Sequence, residues 1–245
     1  MVILLHGFPE DRSSWSGVIP PLAAAGFRVL APDQRGYSPG ARARRRREYA
    51  LPTLAGDVLA LADQAGAERF HLVGHDWGAN LAWYLGAHQA ARIRTLTSLS
   101  VPHPRALSAA MLRSSQALRL YYMAFFQLPA VPEWLIARPD FMRRNLIRTG
   151  LDPESAARYA KRARDMTGPL NWYRGMWFAG QVPAVPVPTL FVWSDGDRFV
   201  TRAAAQRCAD WVTGPYTWQI LAGVSHWIPE EAPQRTAELI LELLT

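Results

Sequence analysis

Short apolar runs alternate along the chain with longer segments in which apolar residues recur at helical spacing. The runs predict six strands, at Val2–Leu5, 27–31, 69–73, Ile93–Leu99, 189–193 and 217–221. Between them the pattern predicts helices, one capped by Ser13 or Ser14 and running to Ala24, one from Pro52 through Ala65, and a last one to Leu244. This order is typical of an α/β fold in which helices cover both faces of a mostly parallel sheet.

One long segment interrupts the alternation. Residues 103–186 contain no strand-like run, but they do contain helical stretches that are rich in arginine and aromatic residues and are broken by prolines. We therefore predict a core made of residues 1–102 and 187–245. A helical cap of residues 103–186 is inserted between the fourth and fifth strands.

Composition places the chain among globular proteins. Its 245 residues are 49% hydrophobic, which is enough for one large core, and no apolar run approaches the roughly 18 residues of a membrane span. No export signal is recognisable at the start of the chain. Cys208 is the only cysteine, so no internal disulfide can form. We expect a cytoplasmic protein with no membrane partner.

The formal net charge of +7 raises the question of a polyanionic partner. Five of the charges belong to one run, Arg42, Arg44, Arg45, Arg46 and Arg47, without which the balance is +2. The run is either a phosphate-contacting patch or a solvated loop. The second interpretation is favoured, because the run follows a loop-like segment of glycine, serine and proline and has no interleaved aromatic residues. No nucleic-acid partner is expected.

Asp76 lies in a motif that carries chemistry. The sequence Gly74-His75-Asp76-Trp77-Gly78 stands where a strand ends and a helix begins, with the glycine spacing of a nucleophile elbow. A carboxylate is already ionised at neutral pH, and its attack on an sp³ carbon forms an alkyl ester. Such chemistry suits the opening of a strained ring or the displacement of a halide. The alternative interpretation is an aspartate that only caps a helix.

An alkyl ester must be hydrolysed, which requires a base to activate water and an acid to orient the base. His226 follows the last predicted strand, so it belongs at the carboxyl edge of the sheet, and it is the candidate base. The acid is expected after the fifth strand, where Asp195 and Asp197 are both available. We choose Asp197, because Asp195 is better placed to shape the turn with Gly196.

Ester hydrolysis passes through an oxyanion, which needs donors already in place. The backbone N–H of Trp77, directly after the nucleophile, is one candidate. The backbone N–H of Phe8, in the loop His6-Gly7-Phe8-Pro9 after the first strand, is the other.

These residues resemble the α/β-hydrolase-fold epoxide hydrolases and, more distantly, the haloalkane dehalogenases. The resemblance covers essentially the whole chain, through the segments HGFPE, DQRGYS, GHDWGA, FQLP and GPLNWYR and through Asp197 and His226. It implies an α/β-hydrolase fold and conversion of an epoxide to a vicinal diol, through an ester on Asp76 that His226-activated water hydrolyses. It also implies that the reaction needs no cofactor and no metal, with a small-molecule epoxide and water as partners.

The resemblance further implies that Tyr173 in GPLNWYR and Tyr122 act as acids. Opening an epoxide generates an alkoxide, and a neutral phenol can donate a proton to it. Tyr121 is an alternative to Tyr122, because the two are adjacent. Two features depart from the family pattern: the first strands of the usual sheet are expected to be absent, and the arginine run is an addition.

Rival functions remain. A haloalkane dehalogenase would place a halide-holding side chain such as asparagine at Phe8, and a fluoroacetate-type dehalogenase would carry arginine at Trp77. A ligand-binding protein without catalysis is a further alternative, because fold does not fix function. The particular epoxide, the stereochemistry of attack and the oligomeric state, monomer or homodimer, stay open.

Overall fold

The computed structural model describes residues 1–244. Six strands are present, β1 Val2–Leu5, β2 Val29–Leu30, β3 Phe70–His75, β4 Ile93–Leu99, β5 Thr189–Ser194 and β6 Tyr216–Leu221. They form one parallel sheet in the order β2-β1-β3-β4-β5-β6. The predicted α/β class and all six predicted strands are therefore confirmed. β2 is shorter than predicted; it lies at the sheet edge and pairs only with β1.

Helices surround the sheet. In chain order they are α1 Ile19–Ala24, α2 Leu51–Gln64, α3 Trp77–His88, α4 Pro104–Met111, α5 Gln116–Arg119, α6 Tyr121–Phe125, α7 Val131–Ile136, α8 Pro139–Arg148, α9 Pro153–Arg162, α10 Thr167–Gly175, α11 Arg202–Gln206, α12 Ile228–Glu231 and α13 Pro233–Leu244. Short 3₁₀ helices occur at Arg12–Trp15, Pro39–Ala41, Arg46–Tyr49, Ala90–Arg92, Met176–Phe178 and Arg207–Trp211. No helix within residues 1–244 is long and apolar enough to cross a membrane.

The helix predicted from Ser13 or Ser14 to Ala24 is wrong as a single element. A 3₁₀ helix begins at Arg12, capped by Asp11, whose side chain accepts a hydrogen bond from the Ser13 N–H. α1 begins only at Ile19. The reason is the Pro20-Pro21 pair, because proline lacks a backbone N–H and is tolerated in the first turn of a helix but not in its interior.

The side chains of β1 alternate between two apolar layers, as the pleat of a strand requires. Val2 and Leu4 pack with residues of α1 and α13. Ile3 and Leu5 belong to the other layer, which includes α2, α3 and many residues of the segment between β4 and β5. All four side chains are completely buried, as expected for a parallel strand covered on both faces.

Helices α4 to α10 all lie between β4 and β5 in the chain. Pro104, Pro139 and Pro153 each stand at the first position of a helix, where the missing N–H costs nothing. The segment is therefore mainly helical and contributes none of the six strands, as predicted from the sequence. Its treatment as a cap of residues 103–186, separate from a core of residues 1–102 and 187–245, stays a prediction.

Candidate active site

Asp76 stands in the sharp turn that joins β3 to α3. Its backbone has φ +50° and ψ −115°, a conformation that costs a residue with a side chain about 1–3 kcal/mol. Glycines on both sides permit the turn. A Cβ on Gly74 would overlap the carbonyl of Gly78, and a Cβ on Gly78 would overlap the carbonyl of Leu5. The turn therefore raises the Asp76 carboxylate above the carboxyl edge of the sheet.

The loop after β1 holds one oxygen of this carboxylate. The Phe8 N–H donates to Asp76 Oδ1 over 2.8 Å. Gly7 lies so close that a Cβ there would overlap the Asp76 side chain. Trp77, the other predicted oxyanion donor, follows Asp76 directly as the first residue of α3. The two backbone groups named from the sequence therefore flank the carboxylate.

His226 lies in the loop between β6 and α12 and is 2% exposed. Its Nε2 is 3.5 Å from Asp76 Oδ2, and its Nδ1 donates to Asp197 Oδ2 over 2.8 Å. The other oxygen of Asp197 accepts the N–H groups of Phe199 and Val200. Nucleophile, histidine and acid candidates therefore lie in one line of contacts.

The sequence alternative Asp195 lies elsewhere. Its Oδ1 accepts the Gly223 N–H over 2.7 Å, so the side chain ties the turn after β5 to the turn after β6. The predicted preference for Asp197 as the neighbour of His226 agrees with this geometry.

His226 lies between two carboxylates, and this arrangement shifts the pKa of His226 and that of Asp76. Burial by itself would lower the pKa of His226, but the charges and contacts of Asp197 and Asp76 raise it to about 10. Burial would likewise raise the pKa of Asp76, but the contact with His226, its positive charge and the Phe8 N–H lower it. At neutral pH the pair is therefore a carboxylate facing an imidazolium.

Two tyrosines of the inserted helices face the same place. Tyr173, on α10, is 3% exposed, and its ring packs edge-on against Phe8 and Trp77, with centroids 5.2 Å and 4.9 Å apart. Tyr122, on α6, has its ring centroid 6.1 Å from that of Tyr173. The alternative Tyr121 also borders the cavity, but it is 75% exposed.

Both phenols stay protonated over the physiological pH range. Burial, followed by the negative charges of Asp76 and Asp197, raises the pKa of Tyr122 well above 10. Burial, followed by Tyr122 and Asp76, does the same for Tyr173. Each hydroxyl therefore remains a proton donor beside the carboxylate.

A cavity of about 530 Å³ lies between the sheet edge and the inserted helices, within the usual range for small-molecule sites. It brings together Asp76, His226, Tyr122 and Tyr173. The remaining wall is mainly apolar, and it includes Phe8, Phe125, Phe126, Ile136, Phe141, Met142, Leu146, Phe199 and Trp227. The arrangement suits an apolar molecule with one polar, reactive group.

A second buried pair supports the histidine and was missed from the sequence. Glu10 and His75 are both completely buried, with Glu10 Oε2 2.7 Å from His75 Nδ1. His75 Nε2 donates to the backbone carbonyl of His226 over 2.9 Å, and Ser100 Oγ donates to the same carbonyl over 2.6 Å. Because a carbonyl only accepts, one proton must be shared between Glu10 and His75 at their contact.

Sequence signals for these groups were weak. Glu10 belongs to the HGFPE segment and His75 to GHDWGA, but both residues lie next to glycine-containing turns and suggested only structure. Ser100 has φ +67°, an unusual value for serine that its neighbouring residues do not predict. His75 and Ser100 meet at one carbonyl, with Glu10 on the far side of His75, because three separate strands end at this edge of the sheet.

The arginine run is exposed beside the insertion, in a loop that leads into the 3₁₀ helix Arg46–Tyr49. All five arginines are exposed. Arg42 contacts Asp165, and the guanidinium groups of Arg46 and Arg47 lie over the ring of Phe178.

Within residues 1–244, no cluster of three or more histidine, cysteine, aspartate or glutamate side chains is arranged to hold a metal ion.

Comparison with known proteins agrees with the geometry. The family model described as alpha/beta hydrolase fold matches residues 1–233. The chain is 33% identical to the AB hydrolase superfamily protein YfhM of Bacillus subtilis and 33% identical to Epoxide hydrolase A of Mycobacterium tuberculosis; each match covers 100% of this chain and 90% of the relative.

Solved structures show the same relationship. The crystal structure of Epoxide Hydrolase A from Mycobacterium thermoresistibile superimposes with a TM-score of 0.82 at 28% identity, over 99% of this chain and 90% of that one. The resemblance to epoxide hydrolases that the motifs indicated is confirmed. With a family match over nearly its whole length and an active-site turn of the expected form, the chain belongs to the alpha/beta hydrolase fold family.

Proposed function

We propose that this enzyme hydrolyses an epoxide to a vicinal diol through a covalent ester on Asp76. The observation that carries the proposal is the pairing of Asp76 and His226, 3.5 Å apart, in a cavity that also contains Tyr122 and Tyr173. The similarity to proteins named epoxide hydrolases supports it independently.

In the first step the Asp76 carboxylate attacks one carbon of the epoxide. A bond forms between a carboxylate oxygen and that carbon, and the ring C–O bond breaks. The released oxygen takes a proton from Tyr122 or Tyr173, whose raised pKa values keep them protonated. This donation matters because an alkoxide is a poor leaving group, and protonation of the oxygen as the ring opens makes it a better one.

In the second step water hydrolyses the ester. Forming the ester removes the charge of Asp76, which is one of the two charges that raise the pKa of His226. The pKa of His226 therefore falls in the ester, so the imidazolium gives its proton to the tyrosinate left by the first step. The imidazole that results can take a proton from water. Hydroxide adds to the ester carbonyl and forms a tetrahedral intermediate, while the bond between the ester oxygen and the substrate carbon stays intact.

 The acyl C–O bond then breaks, the departing oxygen takes the proton from His226, and the new carboxyl group of Asp76 returns one to His226. The Asp76 oxygen that attacked the epoxide therefore leaves with the diol, and the Asp76 carboxylate regains an oxygen from water.

The tetrahedral intermediate of this second step carries an oxyanion. The Phe8 N–H already donates to Asp76 Oδ1 over 2.8 Å, and the Trp77 N–H is proposed as the second donor. Donors that are in place before the charge develops stabilise it without further rearrangement. Asp197 keeps the Nδ1 proton of His226 in position, so that Nε2 faces Asp76.

The inserted helices would act as a cap in this scheme. Tyr122 and Tyr173 come from residues 103–186, whereas Asp76, Asp197 and His226 come from the sheet edge. The apolar cavity wall suits an apolar epoxide, and the reaction consumes only that epoxide and water. The expected location in the cytoplasm stays a prediction.

The test is to trap the ester. Asp76→Ala should abolish turnover, whereas His226→Ala should accumulate enzyme that is heavier by the mass of one epoxide, because ester formation remains possible and hydrolysis does not. Intact-mass spectrometry during incubation with a panel of aryl and alkyl epoxides measures this directly.

His88→Ala is the matched control, because His88 is exposed and contacts the ring of Tyr84 and the carbonyl of Gln181, neither of which lines the cavity. It should turn over like the parent enzyme. Haloalkanes are assayed in parallel for halide release. Normal turnover by the His226 variant would reject the role given to His226, and halide release without diol formation would favour a dehalogenase.

A further inference from the structure

The net positive charge belongs entirely to the inserted segment. Residues 103–186 contain twelve arginine and lysine residues and five acidic residues, whereas the rest of the chain contains fifteen of each. The whole formal charge of +7 is thus concentrated in about one third of the chain. The arginine run, although conspicuous in the sequence, is balanced by acidic residues elsewhere in the core.

The exposed apolar side chains are concentrated in the same segment. Of the nine large hydrophobic residues that are exposed among the described residues, seven fall within residues 111–148. They are Met111, Leu112, Leu118, Tyr121, Leu128, Val131 and Trp134. Leu112 is 90% exposed and Leu118 is 77% exposed. Exposed apolar residues that occur singly need no explanation, but a concentration of them indicates a contact surface.

Unpaired arginines accompany these apolar residues. Within residues 111–148 five arginines are exposed, Arg113, Arg138, Arg143, Arg144 and Arg148. None of the five forms an ion pair with any residue of the described chain. Arg138 lies over the ring of Trp134, 3.5 Å from its centroid. We call the exposed side chains of residues 111–148 the outer cap surface.

The outer cap surface is carried by the same stretch of chain that forms part of the cavity wall. Tyr122, Phe126, Met142 and Leu146 belong to the same stretch of chain, and they line the cavity from the inside. Tyr121 is both exposed and at the cavity wall. A partner bound to this surface would therefore lie beside the route by which an apolar molecule enters.

We propose that the outer cap surface binds the surface of an anionic lipid bilayer. Arginines attract anionic headgroups, and leucine and tryptophan side chains insert at the boundary between headgroups and acyl chains. This proposal departs from the expectation of no membrane partner, because a chain that does not cross a bilayer can still bind its surface. This inference goes beyond the proposed function and does not depend on it.

The charge and the apolar side chains of the outer cap surface argue against a second copy of the chain and against a nucleic acid as its partner. A second copy docked symmetrically would bring the two positively charged caps together, and their like charges would repel each other. A nucleic acid would satisfy the arginines, but it offers no apolar phase for Leu112 and Leu118. An anionic bilayer satisfies both kinds of side chain.

The experiment is co-sedimentation with vesicles. The parent protein is mixed with vesicles of phosphatidylcholine alone, or of phosphatidylcholine and phosphatidylglycerol at a ratio of about 3:1. Binding should require phosphatidylglycerol and should weaken with added salt, because exposed charges are screened. Equal binding to both vesicle types, or no binding to either, would overturn the proposal.

Two double variants with the same loss of charge locate the surface. An arginine near an anionic membrane contributes about 1 kcal/mol, or about fivefold in the partition coefficient. Arg143→Gln with Arg144→Gln should therefore weaken binding by about 25-fold. The control is Arg44→Gln with Arg45→Gln in the exposed run of the core, which should change binding by less than about threefold. Equal losses in the two variants would mean attraction by net charge alone and would overturn the proposal.

The apolar contribution is tested separately. Leu112→Ser should weaken vesicle binding while leaving its salt dependence unchanged, because it removes insertion and not charge. Sedimentation velocity of the same proteins without lipid reports on self-association. Dimerisation that is lost in Leu112→Ser would identify a second copy as the occupant. Tighter binding to a DNA duplex than to anionic vesicles would identify a nucleic acid, and either result would refute the lipid assignment.

Discussion

Replacing Asp197 with asparagine removes a charge from the active site while leaving the shape of the side chain intact. Asp197 Oδ1 accepts the N–H groups of Phe199 and Val200, and an asparagine carbonyl can keep both bonds. The amide N–H₂ then faces His226 Nδ1 in place of Oδ2. Because two donors cannot share a hydrogen bond, the imidazole must carry its proton on Nε2, where the base needs a lone pair to accept a proton from water.

The size of the effect follows from the contact. Asp197 Oδ2 lies 2.8 Å from His226 Nδ1 and both side chains are almost completely buried. Two unit charges about 4 Å apart interact by about 4 kcal/mol at an effective dielectric constant of about 20. If the imidazolium that forms during ester hydrolysis loses this stabilisation, the step slows by about 10³-fold, at about 1.36 kcal/mol for each factor of ten. Ester formation, which uses Asp76 and the tyrosines, should change far less.

The two steps are separated by rapid mixing of enzyme in excess over an epoxide, followed by acid quench and intact-mass analysis. In Asp197→Asn the ester should form at nearly the parent rate and then persist. Asp195→Asn is the matched control, because Asp195 accepts the Gly223 N–H and does not contact His226. Turnover of Asp197→Asn within about threefold of the control would refute the reasoning, since the estimated charge effect is about 10³-fold.

Further predictions concern the tyrosines and the second buried pair. Tyr122→Phe combined with Tyr173→Phe should slow ester formation by at least about 10²-fold, the usual contribution of a general acid, while the exposed Tyr121→Phe should not; an unchanged single-turnover rate in the double variant would reject the assignment. Glu10→Gln removes a buried charge beside His75, so it should lower the free energy of unfolding in urea by about 1–3 kcal/mol. It should also slow ester hydrolysis more than ester formation, because His75 holds the His226 carbonyl, and equal slowing of both steps would leave Glu10 with a purely structural role.

Much of the fold could be predicted because its signals are local. Apolar runs of four to seven residues mark the strands, and proline and glycine mark several helix ends. The prediction failed where two local signals competed. Serines near position 13 suggest a helix start, but Pro20 and Pro21 allow a helix to begin only at Ile19. β2 was predicted too long, because a run of apolar residues does not reveal how many neighbours the strand will have.

The candidate site divides in the same way. Asp76 could be named from the sequence because the glycines that permit its strained turn are its chain neighbours. His226 was inferred from its position after the last strand. Two choices could not be made from the sequence with the same ease: Asp195 against Asp197, and Tyr121 against Tyr122. The members of each pair are near neighbours in the chain and differ mainly in the direction of their side chains. That direction depends on packing against distant elements.

The sequence alone therefore determined the order of elements and the candidate nucleophile, since each depends on the spacing of neighbouring residues. Only the tertiary structure brought His75 and Ser100 to the carbonyl of His226 and Glu10 to His75. Only it separated the inward-facing side chains of residues 111–148 from the exposed ones. The physical reason is that hydrogen bonds and burial act between atoms that are close in space, and here those atoms come from strands and loops as far apart in the chain as Glu10 and His226.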